Sequence, residues 1–166
     1  MSPKIVILAA HGRNREIGKN NTLPWSIPAE IKHFKRSTIG RTVLMGRKTA
    51  QSLGGALKNR TNLVLTRGDT APYRDMIPVA SLEEALEHVQ GSELVIIGGE
   101  QVYRQFIDRA DKIVVSYISI DVEGADAFFP EINLDIFKQT GAEPHLSVTP
   151  DIPDFAIWTF ERKDRS

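Results

Sequence analysis

Two apolar runs end on glycine and pass straight into a helix start. This repeated junction restricts the fold more than any other feature. One reads Val43-Leu44-Met45-Gly46-Arg47-Lys48-Thr49, the other Leu94-Val95-Ile96-Ile97-Gly98-Gly99-Glu100. A short unbroken apolar run suits a central parallel strand covered on both faces. The spacing predicts further strands over residues 4–10, 41–45, 62–66, 112–120 and 155–160. It predicts helices from Ser26-Ile27-Pro28 to about Ser37, over 47–53, after Ser81, and through Val102, Tyr103, Phe106 and Ile107. Ser81 with Glu84 forms a capping box. Strands alternating with helices imply an α/β domain with a mostly parallel mixed sheet and about four helices. No helix precedes the last strand, so an antiparallel edge is expected at the C-terminus.

The 166 residues suit one domain, 1–166, and the absence of cysteine excludes disulfides and thiolate metal sites. Lys and Arg total 21 and Asp and Glu total 21, so the net charge is zero, which argues against a nucleic-acid coat. The sum hides an asymmetry. Residues 1–75 hold 14 Lys/Arg and 4 Asp/Glu, a balance of +10, and residues 76–166 hold 7 and 17, a balance of −10. The first half meets an anion, pairs with the second, or is simply solvated. The apolar run at 5–10 is too short for a signal sequence or a membrane span, so a cytoplasmic location with no membrane partner is expected. Without a secretory signal, the glycosylation patterns Asn20-Asn21-Thr22 and Asn59-Arg60-Thr61 carry no meaning.

Glu30 is out of place. The first helix has its apolar stripe at Ile27, Ile31 and Phe34, and Glu30 falls on the same stripe. A carboxylate there is costly unless it meets a partner. Either it sits at the core edge, favoured by the helix dipole, or it binds a ligand in a pocket. The glycine junctions fit neither the Walker nor the Rossmann fingerprint. They still place glycine, a helix start and the cations Arg47 and Lys48 at strand carboxyl ends, where open parallel sheets bind ligands. The polar stretch 11–22 before Leu23-Pro24-Trp25 reads as a long loop of the kind that serves as a lid. His11, His33, His88 and His145 have no metal-ligand spacing and are expected at the surface or in loops; no metal is expected.

The motifs form an ordered set. Ile17-Gly18 comes with Leu23-Pro24-Trp25, followed by Pro28-Ala29-Glu30 and Phe34-Lys35. Then come the Met45 to Thr49 junction, Asn59-Arg60, Ile97-Gly98-Gly99 with Tyr103, and Val122-Glu123-Gly124 leading to Phe128-Phe129-Pro130. Over nearly the whole chain, from Ile5 to about Phe160, this set resembles the dihydrofolate reductase family.

The resemblance implies that family's three-layer fold, with an adenosine-binding lobe at roughly 41–92. It implies NADPH-dependent reduction of 7,8-dihydrofolate to tetrahydrofolate, antifolate inhibitors among its small-molecule partners, and a monomer. Glu30 stands at the family's active-site carboxylate, with Trp25 and Ser116 assisting through water. Leu8 and Ala10 would abut the pterin or nicotinamide. Ile31, Phe34, Leu53 and Leu57 would line the pocket for the aromatic linker, and Arg60 would fork onto the tail carboxylate. Ala10, Ile17 and Gly18 would flank the nicotinamide. Gly46, Arg47, Lys48, Thr49, Thr66 and Arg67 would hold the phosphates. Ile97, Gly98, Gly99, Gln101, Val102 and Tyr103 would form the third contact segment, in which the family's Gly-Gly peptide is cis. Ala50, Glu100 and an extra residue near Asp126 depart from the family pattern. A same-fold reductase of another pterin or a pyrimidine is disfavoured by Glu30, Phe34 and Arg60. A non-catalytic nucleotide-binding regulator is disfavoured by Trp25, Glu30 and Ser116. An RNA-binding role lacks an aromatic platform.

Overall fold

The first strand, β1 (Lys4–His11), is apolar on both faces because it runs through the middle of an eight-stranded sheet. The computed structural model describes residues 2–19 and 23–163. Thus Asn20, Asn21 and Thr22, the end of the expected lid loop, lie outside the described residues. The remaining strands are β2 (Glu16–Gly18), β3 (Thr42–Gly46), β4 (Thr61–Leu65), β5 (Met76–Val79) and β6 (Glu93–Gly98). They continue with β7 (Lys112–Ile118), β8 (Ala127–Phe128), β9 (Phe137–His145) and β10 (Phe155–Arg162). The helices are α1 (Pro28–Thr38), α2 (Arg47–Leu53), α3 (Leu82–Glu87) and α4 (Glu100–Phe106), the last followed by a 3-10 turn over Ile107–Arg109.

The main sheet has the order β5-β4-β3-β6-β1-β7-β10-β9. β5 to β7 are all parallel, and β10 runs antiparallel between β7 and β9. The antiparallel margin is therefore two strands wide. β10 lies inside it, and β9 is the edge. Sequence reading missed β9 because its burial pattern shows only one fully covered residue, Phe137. Its alternation is too weak to mark a strand. It also missed β5, a four-residue edge strand interrupted by Pro78.

Strand alternation sorts the core into two layers. Ile5, Ile7 and Ala9 point to one face, where they join Ile96, Tyr103, Phe106 and Phe129. Leu8 points to the other, with Val43, Met45, Ala50 and Val95, against which Phe34 and Leu57 pack. Helices thus cover both faces. Ser81 caps α3, its Oγ accepting the Glu84 N–H at 3.1 Å. The reciprocal bond reaches one residue further back, from Ala80 N–H to Glu84 Oε2 at 2.6 Å.

Candidate active site

Glu30 lies in the first turn of α1, and Ser116 on β7 is fully buried opposite it. Ser116 Oγ donates to Glu30 Oε1 at 3.2 Å. Burial pushes the Glu30 carboxyl up to about 7, with the Ser116 hydrogen bond pulling more weakly in the other direction. The acid sits at a helix start, as the structural reading expects, and it faces the sheet through Ser116. Trp25 and Ala10 pack against the cluster of Ile27, Ile118, Phe155 and Ile157. Within the described residues, Trp25 Nε1–H is buried without a hydrogen-bond acceptor. A lone buried donor costs about 1–3 kcal/mol, so a polar partner at this point is favoured.

The residues expected to line the linker are partly or largely exposed. Ile31 is 55% exposed and Leu53 39%, while Phe34 and Leu57 are half-buried. The apolar stripe of α1 is therefore not a core stripe throughout; Thr38 is the fully buried residue of that helix. Arg60 Nε donates to Thr38 Oγ1 at 3.0 Å, Thr38 Oγ1 donates to Phe34 O at 2.9 Å, and Arg60 Nη1 donates to Lys58 O at 3.0 Å. A guanidinium has five N–H donors, so one remains on Nη1 and two on Nη2, enough for a two-pronged carboxylate contact. Asn62 fixes the loop carrying Arg60. Its Oδ1 accepts Leu57 N–H at 2.9 Å, and its amide donates to Leu57 O and Arg60 O. Thr38 and Asn62 were not singled out from sequence. The available signal was a buried polar residue opening the apolar run of β4.

The two glycine junctions meet in space, since β3 and β6 are neighbours and Met45 pairs with Gly98. The Gly98–Gly99 peptide is cis. A Cβ on Gly46 would come within 3.0 Å of Val102 Cγ2, and one on Gly99 within 3.2 Å of Thr49 Oγ1. A side chain at either position would press on these neighbours, so glycine suits the tight packing of the junction. Tyr103 is buried, and its hydroxyl donates to Leu8 O at 2.7 Å, so it braces the junction from beneath. Val102 is likewise buried, whereas Gln101 is exposed. Arg47, Lys48 and Arg67 are exposed at the strand ends, with Thr66 and Ile97 half-buried. Arg47 Nη1 donates to Thr70 O at 3.1 Å. Glu100 pairs with Arg104 at 2.9 Å along α4. Glycine cradle and cationic rim together fit a phosphate-bearing dinucleotide.

The lid segment is not all loop. His11 ends β1, and Glu16–Gly18 pairs antiparallel with β8. Ile17 packs against the main core and Gly18 is buried. Glu16, unnoticed in the sequence, is 2% exposed. The expectation that all histidines lie at the surface or in loops is corrected. His11 is buried on β1 between Tyr117 and Phe129, with Nδ1 2.7 Å from Gly12 O. His33 and His145 are half-buried on α1 and β9. Two aromatic rings and a carbonyl give His11 partners that no sequence spacing shows.

A separate cleft of about 250 Å³, lined by His33 and Arg36 of α1 with Leu8, Val114, Glu93 and Lys112, touches none of Glu30, Phe34 or Arg60. Among the described residues, no helix is long and apolar enough to cross a membrane, and no group of His, Asp or Glu is arranged around a metal position.

A part-buried carboxylate of raised pKa on the first helix, in an α/β domain whose two glycine junctions carry exposed cations, is the arrangement of an α/β enzyme suited to a phosphate-bearing ligand. Comparison with known proteins narrows this. The family model for dihydrofolate reductase matches residues 4–162. The dihydrofolate reductase of Staphylococcus haemolyticus is 35% identical over 160 residues, 96% of each chain. That of Bacillus subtilis (strain 168) is 34% identical over 163 residues, 98% of this chain and 96% of the other. The structure of dihydrofolate reductase from Enterococcus faecalis complexed with NADP(H) and RAB-propyl superposes with a TM-score of 0.89 at 30% identity, over 97% of each chain. The chain belongs to the dihydrofolate reductase family.

Proposed function

We propose that this chain reduces 7,8-dihydrofolate to 5,6,7,8-tetrahydrofolate with NADPH, and that Glu30, Ser116 and Trp25 carry its acid chemistry. The observation that carries the assignment of residues is the part-buried contact between Ser116 Oγ and Glu30 Oε1; the buried Trp25 N–H, without an acceptor among the described residues, supports it. Bound NADPH supplies the hydride. Glu30 accepts hydrogen bonds from the amino group and ring nitrogen of the pterin, for which its carboxyl has capacity beyond the Ser116 bond. A carboxyl titrating near 7 also holds a proton on oxygen through part of the neutral range. Relayed by water that Trp25 Nε1–H helps to orient, that proton can reach the ring nitrogen next to the carbon being reduced.

Leu8 and Ala10 form the floor under the pterin, while Ile31, Phe34, Leu53 and Leu57 hold the linker and Arg60 the tail carboxylate. Gly46, Arg47, Lys48, Thr49, Thr66 and Arg67 hold the phosphates of NADPH. Ile97, Gly98, Gly99 and Gln101 complete that site, with Val102 and Tyr103 shaping it from below. Ile17 and Gly18 close over the nicotinamide. The segment 41–92, containing β3, α2, β4, β5 and α3, serves as the adenosine-binding lobe of a single domain, 1–166. The working unit is a cytoplasmic monomer, and antifolates compete for the Glu30 cleft. Following NADPH absorbance with and without dihydrofolate tests the activity. Consumption requires both. A folded chain that binds NADPH yet consumes none with dihydrofolate overturns it.

A further inference from the structure

Glu16 is a carboxylate with 2% exposure, and the pterin and phosphate chemistry above makes no use of it. Its two oxygens have different partners. Oε1 accepts the Asn14 N–H at 2.6 Å, within its own segment, and Oε2 accepts the Val122 N–H at 2.7 Å, from the loop after β7. Burial alone would raise this carboxyl, but the amide hydrogens of Val122, Glu16 itself and Asn14 outweigh it and hold the group ionised below the usual range. Gly12 makes room. A Cβ there would fall 2.7 Å from Glu16 Oε1 and 2.8 Å from Ile120 O.

We propose that Glu16 is a positioning residue for the lid, latching residues 12–19 onto the loop after β7 so that Ile17 and Gly18 keep their place beside the reacting ring. The inference rests on the reductase reading above. Along β2 the side chain of Glu16 points one way and that of Ile17 the other, so fixing the first orients the second. Neighbouring bonds tie the same two segments together. Arg13 N–H donates to Ile120 O at 2.9 Å, Asp126 N–H to Gly18 O at 3.1 Å and Phe129 N–H to Arg15 O at 2.7 Å. Arg13 also pairs with Asp121 at 3.0 Å, but both side chains are exposed and that pair is weak. Glu16 differs from these because it is charged, buried and doubly bonded, and charge-assisted bonds in such surroundings are the strong ones.

Chemistry also dictates the test. Two N–H donors require two acceptors. Glutamine supplies one oxygen and one NH2, so Glu16→Gln keeps the shape and must lose one tether. Single-turnover hydride transfer should fall about tenfold, the effect of one charge-assisted hydrogen bond. A neutral amide oxygen is also a weaker acceptor than a carboxylate, so hydrogen exchange at the Val122 amide, the tether between the two segments, should quicken, while KM for dihydrofolate stays within about twofold. Gly12→Ala crowds Oε1 and also Ile120 O, the acceptor of Arg13 N–H, so it loosens the same two segments without removing the charge; it carries the test if Glu16→Gln fails to fold, read at the Val122 amide. Unchanged exchange at the Val122 amide in a folded variant overturns the latch. Faster exchange with an unchanged hydride rate overturns its role in the reaction. If the unaltered chain consumes no NADPH with dihydrofolate, the reductase reading fails by itself, and the role given to Glu16 falls with it even where exchange shows the latch.

Discussion

Ser116 Oγ reaches Glu30 Oε1 at 3.2 Å, joining the middle of β7 to the first turn of α1 across 86 positions of sequence. The hydroxyl is fully buried and the carboxyl mostly so. One donor partly relieves the acid, and burial leaves it titrating near 7. That balance gives the site a group able both to accept a hydrogen bond and to hold a proton near neutrality.

Ser116→Ala removes the influence that favours the ionised form of Glu30. The Glu30 carboxyl should therefore titrate at higher pH than in the unaltered chain. A carboxyl-carbon NMR titration reads this directly. An unchanged or lower midpoint contradicts the assigned contact.

Glu30 should also weaken the substrate-free fold as pH rises. Below about 4.5 it is protonated in both folded and unfolded chains. Between 4.5 and about 7 the unfolded chain loses the proton and the folded chain keeps it, so stability falls through that window. The upper bound is ~3.5 kcal/mol at about 1.4 kcal/mol per pH unit, reduced by the part of Glu30 that meets solvent. Urea unfolding should show Glu30→Gln more stable than the unaltered chain at about pH 8, with most of that gain gone at about pH 4. Equal gains at both values speak against a raised carboxyl.

Thr38→Val tests the support of Arg60. The exchange removes the acceptor for Arg60 Nε and the donor to Phe34 O from a fully buried position. Stability should fall by about 1–3 kcal/mol. KM for dihydrofolate should rise about tenfold as the guanidinium loses its orientation, with NADPH affinity unchanged. A loss confined to NADPH affinity contradicts the placement of Arg60.

Gly98→Ala should impair the cofactor cradle. Gly98 has φ +131°, a conformation that side chains rarely adopt, and an added Cβ would meet Tyr103 Oη at 3.4 Å. NADPH affinity measured by fluorescence quenching should drop at least about tenfold, roughly 1.4 kcal/mol. Unchanged affinity argues against this junction as the cradle.

What could be read from sequence was whatever local pattern determines. Continuous apolar runs marked β3 and β6, and the Ser81–Glu84 spacing marked the start of α3. Glu30 stood out because it broke a helical stripe. Glu16 did not, because the partner that explains its burial, Val122 N–H, is 106 residues away. Thr38 is another such case. Its hydroxyl has a local partner in Phe34 O, and its service to Arg60 depends on where β4 begins. β9 was illegible because the edge position leaves it little covered surface. Local chemistry reveals residues that violate a pattern, while residues satisfied by distant backbone look ordinary until the chain is folded.

The most direct test of the central claim is the pH dependence of single-turnover hydride transfer from NADPH to dihydrofolate. The rate should fall as pH rises through an apparent pKa near 7, and Glu30→Gln should be much slower and lack that inflection. A flat profile in the unaltered chain, or the same inflection in Glu30→Gln, contradicts the account.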